Sequence, residues 1–139
     1  MSAIIFLFFC LVPPPLLFVL VPMRVSFPQW KNALVATALL PVWDLLWFSI
    51  FRRVYRGEYT NVWYAACTWV LLGTSLSMPR PESTEEAAIA GAVFGLVVWG
   101  TFNGSYASIT PTWTLPKVVL DVVWGCIVSV SLSVFLYAL

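Results

Sequence analysis

The chain contains no histidine. That absence excludes imidazole-ligated haem, histidine-based zinc or copper centres and a histidine proton shuttle. Charge is scarce as well. Lys, Arg, Asp and Glu make up 9% of the 139 residues, against roughly 25% in soluble domains. The formal net charge of +1 provides no electrostatic footprint for nucleic acid. Three cysteines, Cys10, Cys67 and Cys126, are scattered through apolar segments. An odd number without a C-x-x-C pair indicates neither a disulfide framework nor a thiolate metal site, so inert buried thiols are expected. No nucleophile–base pair can be named. The chain is therefore not expected to be an enzyme, and no cofactor is implied, structural lipid aside.

What is present is apolar. Hydrophobic residues make up 61% of the chain and the mean hydropathy is +0.93, which places it among integral membrane proteins of one domain. The first segment, Met1 to Met23, is hydrophobic but interrupted by Pro13-Pro14-Pro15. Those prolines have no N–H, and lipid cannot replace the donors they remove from the helical ladder. The segment is expected to be retained, an irregular arm that forms either two half-length helices or an in-plane stretch shielded by protein. With the link to Asn32 it forms residues 1–32. Residues 33–139 then read as a four-helix transmembrane domain. The expected spans are Ala33–Phe51, Asn61–Met78, Ala87–Ile109 and Lys117–Leu139, each of a length suited to the bilayer. The fold class is thus all-α, a transmembrane four-helix bundle with a proline-interrupted N-terminal arm. Ser83-Thr84-Glu85-Glu86 reads as a helix start, a hydroxyl cap followed by acidic residues, and Pro116 suits a first helical position. Trp30, Trp63 and Trp113 fall near span ends and are expected to be interface anchors. The Arg52–Glu58 loop with Lys117 outweighs Arg24, Lys31 and Arg80 by one basic residue, which puts the Arg52 side inward.

Two short motifs stand out against this background: Asp44-Leu-Leu-Trp47 and Asp121-Val-Val-Trp124. Each places a carboxylate in an apolar span, at a cost of roughly 2.5–3.5 kcal/mol on insertion scales. Three readings are open: satisfied structural carboxylates, a ligand or proton site, and an inter-subunit pair. Lys117 precedes Asp121 by four residues and shares its helix face. Asp44 is expected to reach Asn103, Ser105 or Tyr106 on the third span, or a basic group near the helix end. Asp44, Asn103 and Asp121 are therefore the candidate polar cluster. The two motifs also suggest an internal repeat of two helix pairs. The residues around the aspartates do not support a protease dyad. The third span carries Gly91-x-x-x-Gly95 and Gly100-x-x-x-Gly104, a flat stripe that lets another helix approach closely. A narrow ligand groove is the alternative reading. The sequon Asn103-Gly104-Ser105 lies inside a span, out of reach of glycosylation.

From about Thr37 to the end, the chain resembles a family of small bacterial membrane proteins of unknown function with four predicted spans. Val42-Trp-Asp44-Leu-Leu-Trp47 and Tyr55-Arg-Gly57 are similar to the family's L-D-x-x-W-L and downstream Y-R. Gly95-Leu-Val-Val-Trp-Gly100-Thr-Phe102-Asn103 is similar to G-x-x-x-Y-x-T-Y-D-x-T-N, and Val119-Leu-Asp121-Val-Val-Trp124-Gly125 to V-D-x-x-W-G-T. Two departures stand out: Asn103 replaces the family's aspartate, and Ser105-Tyr106 replaces its T-N. The Met1–Gln29 arm lies outside the resemblance. The resemblance implies a fold and a polar cluster, not a reaction.

The functional expectation is a non-catalytic accessory or structural subunit of a large membrane complex, partnered by other membrane subunits and lipids and not by nucleic acid. A respiratory-chain complex of the mitochondrial inner membrane is placed first as host and the ATP synthase second. The alternative is a small transport or lipid- or quinone-binding module that uses the intramembrane aspartates.

Overall fold

The structure is a computed structural model that describes residues 27–51 and 62–139. The Met1–Met23 arm with its three prolines, Cys10, Arg24 and the Arg52–Glu58 loop lie outside the described residues. The described chain is all-helical: α1 is Trp30–Ile50, α2 Val62–Leu76, α3 Thr84–Ile109 and α4 Leu115–Tyr137. α1, α3 and α4 are long and apolar enough to cross a membrane, while α2 is a shorter apolar helix of 15 residues. At 1.5 Å per residue the 21 residues of α1 reach about 31 Å, close to the roughly 30 Å of a hydrocarbon core.

Local chemistry fixes the helix ends. Ser83, extended at φ −146°, caps α3 by accepting from the Glu86 N–H, and the Glu86 carboxylate accepts from the Glu82 N–H at 2.8 Å. Thr84, Glu85 and Glu86 form the first turn of α3, ahead of the apolar span that begins at Ala87, as the helix start read at Ser83 implies. Pro116 sits within the first turn of α4, where its missing N–H costs nothing. Ser83→Ala should lower stability by about 1 kcal/mol. Thermal unfolding in a mild detergent reads this directly, and an unchanged midpoint would show that the cap is redundant.

The helices form two antiparallel hairpins. α1 packs on α2, and α3 packs on α4 in the most extensive contact of the fold. The second contact is explained by glycine. A Cβ on Gly91 would lie 2.5 Å from the Ser129 carbonyl oxygen, and one on Gly95 would lie 2.6 Å from the Cys126 Cα. The two backbones therefore touch along α3, as small residues permit in lipid. Gly73 plays the same part for α2, where a Cβ would lie 2.7 Å from the Thr37 backbone nitrogen of α1.

The hairpins meet mainly through α1 and α4. Ala36 and Leu40 of α1, Leu76 of α2, and Val128, Leu132 and Leu136 of α4 form the core. Outer faces are apolar and open. Leu45, Val70, Leu71 and Val119 are all more than half exposed, as suits lipid contact. Cys67 also lies on an exposed face rather than buried. The expected internal repeat is not what the hairpins show. Asp44 is on the first helix of its hairpin and Asp121 on the second of its own, so the two motifs do not take matching places in the two hairpins.

Candidate functional site

The two D-x-x-W motifs meet at that seam. Residues three apart share a helix face, so each tryptophan stands beside its own aspartate. The Trp47 ring of α1 stacks on the Trp124 ring of α4, centroids 4.8 Å apart and 20° between planes. Trp43, one turn earlier, meets Trp124 edge-on at 5.5 Å. This aromatic joint holds α1 and α4 in a register that brings the two carboxylates to the same level of the bundle.

Both carboxylates line one cavity of about 270 Å³. All four helices contribute: Leu40 and Asp44 from α1, Thr68, Trp69 and Leu72 from α2, Val98, Trp99 and Phe102 from α3, and Asp121 from α4. The walls are chiefly apolar and aromatic. Thr68 and Phe102 are exposed to the surroundings, so the cavity opens laterally between α2 and α3, where the hairpins touch least. Trp99 is seated over Gly125, whose Cβ, were there one, would collide with the indole ring.

Each aspartate has a hydrogen-bond donor in its own hairpin. Asp44 Oδ2 accepts from Trp69 Nε1 at 2.6 Å. Asp121 Oδ2 accepts from Asn103 Nδ2 at 2.7 Å. Asn103 is fully buried, at 0% exposure, and every polar atom of its amide is used. Its Nδ2 also donates to the Trp99 carbonyl at 2.9 Å, and its Oδ1 accepts from Trp113 Nε1 at 2.7 Å. Among the described residues, no Lys or Arg side chain stands within ion-pair distance of Asp44, whose one hydrogen-bond donor is Trp69.

These positions revise three expectations. Asp44 does not bond Asn103, Ser105 or Tyr106: Trp69 of α2 is its donor, Asn103 is taken up by Asp121, Trp99 and Trp113, and Tyr106 packs edge-on against Trp113 at 5.1 Å. Trp113 is not an interface anchor. It is 9% exposed and folded inward by the turn before α4, because its indole N–H finds Asn103 there. Lys117 Nζ sits 5.3 Å over the Trp113 ring. Trp30 and Trp63, by contrast, are exposed at helix ends. The glycine stripe also divides. Gly91 and Gly95 lie against α4 and Gly100 is buried, but a Cβ on Gly104 would meet nothing within 4 Å, so Gly104 takes no part in the α3–α4 contact.

The sequence pattern of the family described as "Predicted membrane protein (DUF2177)" matches residues 29–138. The chain belongs to this family. It is an integral membrane protein, and all of the described helices fall within the family's extent. No curated protein and no solved structure matches it. Trp69, Trp99, Thr68 and Phe102 are the site residues that sequence reasoning missed. The spacing of Asp44 and Trp69 becomes meaningful only once α1 and α2 are folded back on each other. Trp99 and Phe102 sit inside the family-like segment Gly95–Asn103, which is the one signal that pointed toward them.

Proposed function

We propose that the chain is a small membrane binding or transport module that takes a cation with an apolar body into the cavity between Asp44 and Asp121. The observation that carries this reading is the meeting of both intramembrane carboxylates in one aromatic-walled cavity. Intramembrane charges that face a bundle interior mark ligand or ion paths, and an indole face attracts a cation by a further 0.5–2 kcal/mol or so. Calcium and magnesium take six or more oxygens, whereas this cavity offers two carboxylates and the Thr68 hydroxyl, which already donates to the Tyr64 carbonyl. The volume lies just below the roughly 300–1,000 Å³ range of small-molecule pockets. That suits a compact organic cation.

Benzyltrimethylammonium is a direct probe. Calorimetric titration of the full chain in lipid nanodiscs should show saturable binding. Asp44→Asn keeps an acceptor for Trp69 and should leave the fold intact while weakening binding about tenfold or more. Val98→Trp fills the cavity, leaves both carboxylates, and should do the same. Equal affinity in wild type and both variants, or no binding in the wild type, would sink the reading.

A second reading is supported by α3's outer face. Thr101, Gly104, Ser105 and Ser108 share one helix face; the three hydroxyl-bearing residues are exposed, and Gly104 leaves the backbone between them without a side chain. Such a face suits a neighbouring helix. We therefore also propose a non-catalytic subunit role in a larger membrane assembly. The host proposed first is a respiratory-chain complex of the mitochondrial inner membrane, and the ATP synthase second, a choice that no particular residue dictates. Native electrophoresis in mild detergent tests it. A chain that migrates alone from its native membrane rules this role out.

A further inference from the structure

A second, larger cavity lies at the opposite end of the bundle. Its volume is about 610 Å³, and it is bounded by the start of α1, the α2–α3 link and the end of α4. These elements are the ends of three membrane-length helices, so the cavity sits at the depth of lipid headgroups. We propose that it is a phosphate site that holds the headgroup of an anionic membrane lipid.

Four independent features converge there. Lys31 and Arg80 both line the cavity, and among the described residues neither is paired with a carboxylate. Arg80 is held by neutral acceptors only, donating to the Phe27 carbonyl at 3.2 Å and, with the Gln29 amide oxygen turned toward it, to Gln29 at 3.3 Å. Its positive charge is therefore positioned without being cancelled. Lys31 Nζ lies 5.8 Å over the Trp30 ring, at a height where such rings mark the interface.

The third feature is the N-terminus of α1. Gln29 makes no side-chain cap, and residues 29 to 32 line the cavity. The first N–H groups of a helix without such a cap, with the positive end of its dipole, form an anion site. The fourth is Ser133. It is 8% exposed, borders the cavity, and its hydroxyl has no hydrogen-bond partner among the described residues. That hydroxyl is a donor available to an acceptor oxygen in the cavity. Glu85 and Glu86 belong to the first turn of α3, and neither they nor Glu82 line the cavity; Leu139, the last residue of the sequence, does. A phosphate oxygen is the acceptor that meets all four features, since guanidinium and ammonium groups bind it strongly.

The test uses the full chain in a neutral detergent, titrated separately with phosphatidylglycerol, phosphatidylcholine, glycerol 3-phosphate and inorganic phosphate, with retained adducts read by native mass spectrometry. Phosphatidylglycerol should be retained over phosphatidylcholine. Arg80→Gln and Lys31→Gln should each lower its retention about tenfold, Lys31→Arg should restore it, and Asp44→Asn should leave it unchanged. Ser133→Ala, which removes only a hydroxyl, gives a milder loss in a chain of unaltered fold. Retention of glycerol 3-phosphate as strong as that of the lipid supports the anion site and assigns it to a soluble phosphate. Equal retention of the two lipids, undiminished in Arg80→Gln and Lys31→Gln, shows general lipid adhesion and overturns the proposal.

Discussion

Gly95→Leu is expected to yield little or no folded protein, while Gly104→Leu on the same helix stays within about 0.5 kcal/mol of wild type. The contrast follows from what each new side chain meets. At Gly95 a Cβ already lies 2.6 Å from the Cys126 Cα and 2.7 Å from the Gly125 carbonyl oxygen. Backbone cannot swing aside like a flexible side chain, so α3 and α4 must separate. Overpacking costs about 1–3 kcal/mol where side chains can adjust, and this contact exceeds that range because the whole hairpin interface is lost with it. At Gly104 the added leucine enters open space. The measurement is yield and thermal midpoint of both variants in the same detergent. A well-folded Gly95→Leu chain would show that the α3–α4 contact is looser than described. A Gly104→Leu variant that folds but leaves a native assembly would support the subunit role.

Asn103→Leu should cost about 3 kcal/mol or more. Leucine matches the amide in size but removes the acceptor of Trp113 Nε1, a donor to Asp121, and the bond to the Trp99 carbonyl. Losing a partner for a buried polar atom costs roughly 1–3 kcal/mol, and more where a charge is involved. Trp113→Phe removes one of these three bonds and should cost less than half as much. Denaturant titration followed by far-ultraviolet circular dichroism separates the two, since it reads the loss of helix in both variants alike. Equal stability of Asn103→Leu and wild type would mean that the amide is not part of a working network.

Helix existence was legible from hydropathy and length, because lipid demands that a spanning backbone satisfy itself. The start of α3 was legible too, since Ser83 and Glu86 act within one turn. The close α3–α4 approach could be read from Gly91 and Gly95, whereas Gly104, in the same spacing pattern, faces away. A four-residue period marks a face but does not say what covers it. The wiring of the polar cluster was not legible: Asn103 bonds Asp121, and Asp44 shares a cavity with Asp121. Asp44 pairs with Trp69, 25 positions on, and Asn103 with Asp121, 18 positions on. Such pairs depend on which helices fold back on which. Trp113 misled because proximity to a span end and inward rotation look alike in sequence.

The two hairpins each carry their own carboxylate together with its hydrogen-bond donor: Asp44 with Trp69, and Asp121 with Asn103. The chain is made from one end, so the first hairpin meets the bilayer before the second exists. It does so with its charge already tethered by the neighbouring indole, and the second arrives equally self-sufficient. Neither half has to wait for the other to make its acid tolerable in lipid. The cavity, which neither hairpin builds alone, is therefore a product of late assembly, created when Trp47 and Trp124 come together.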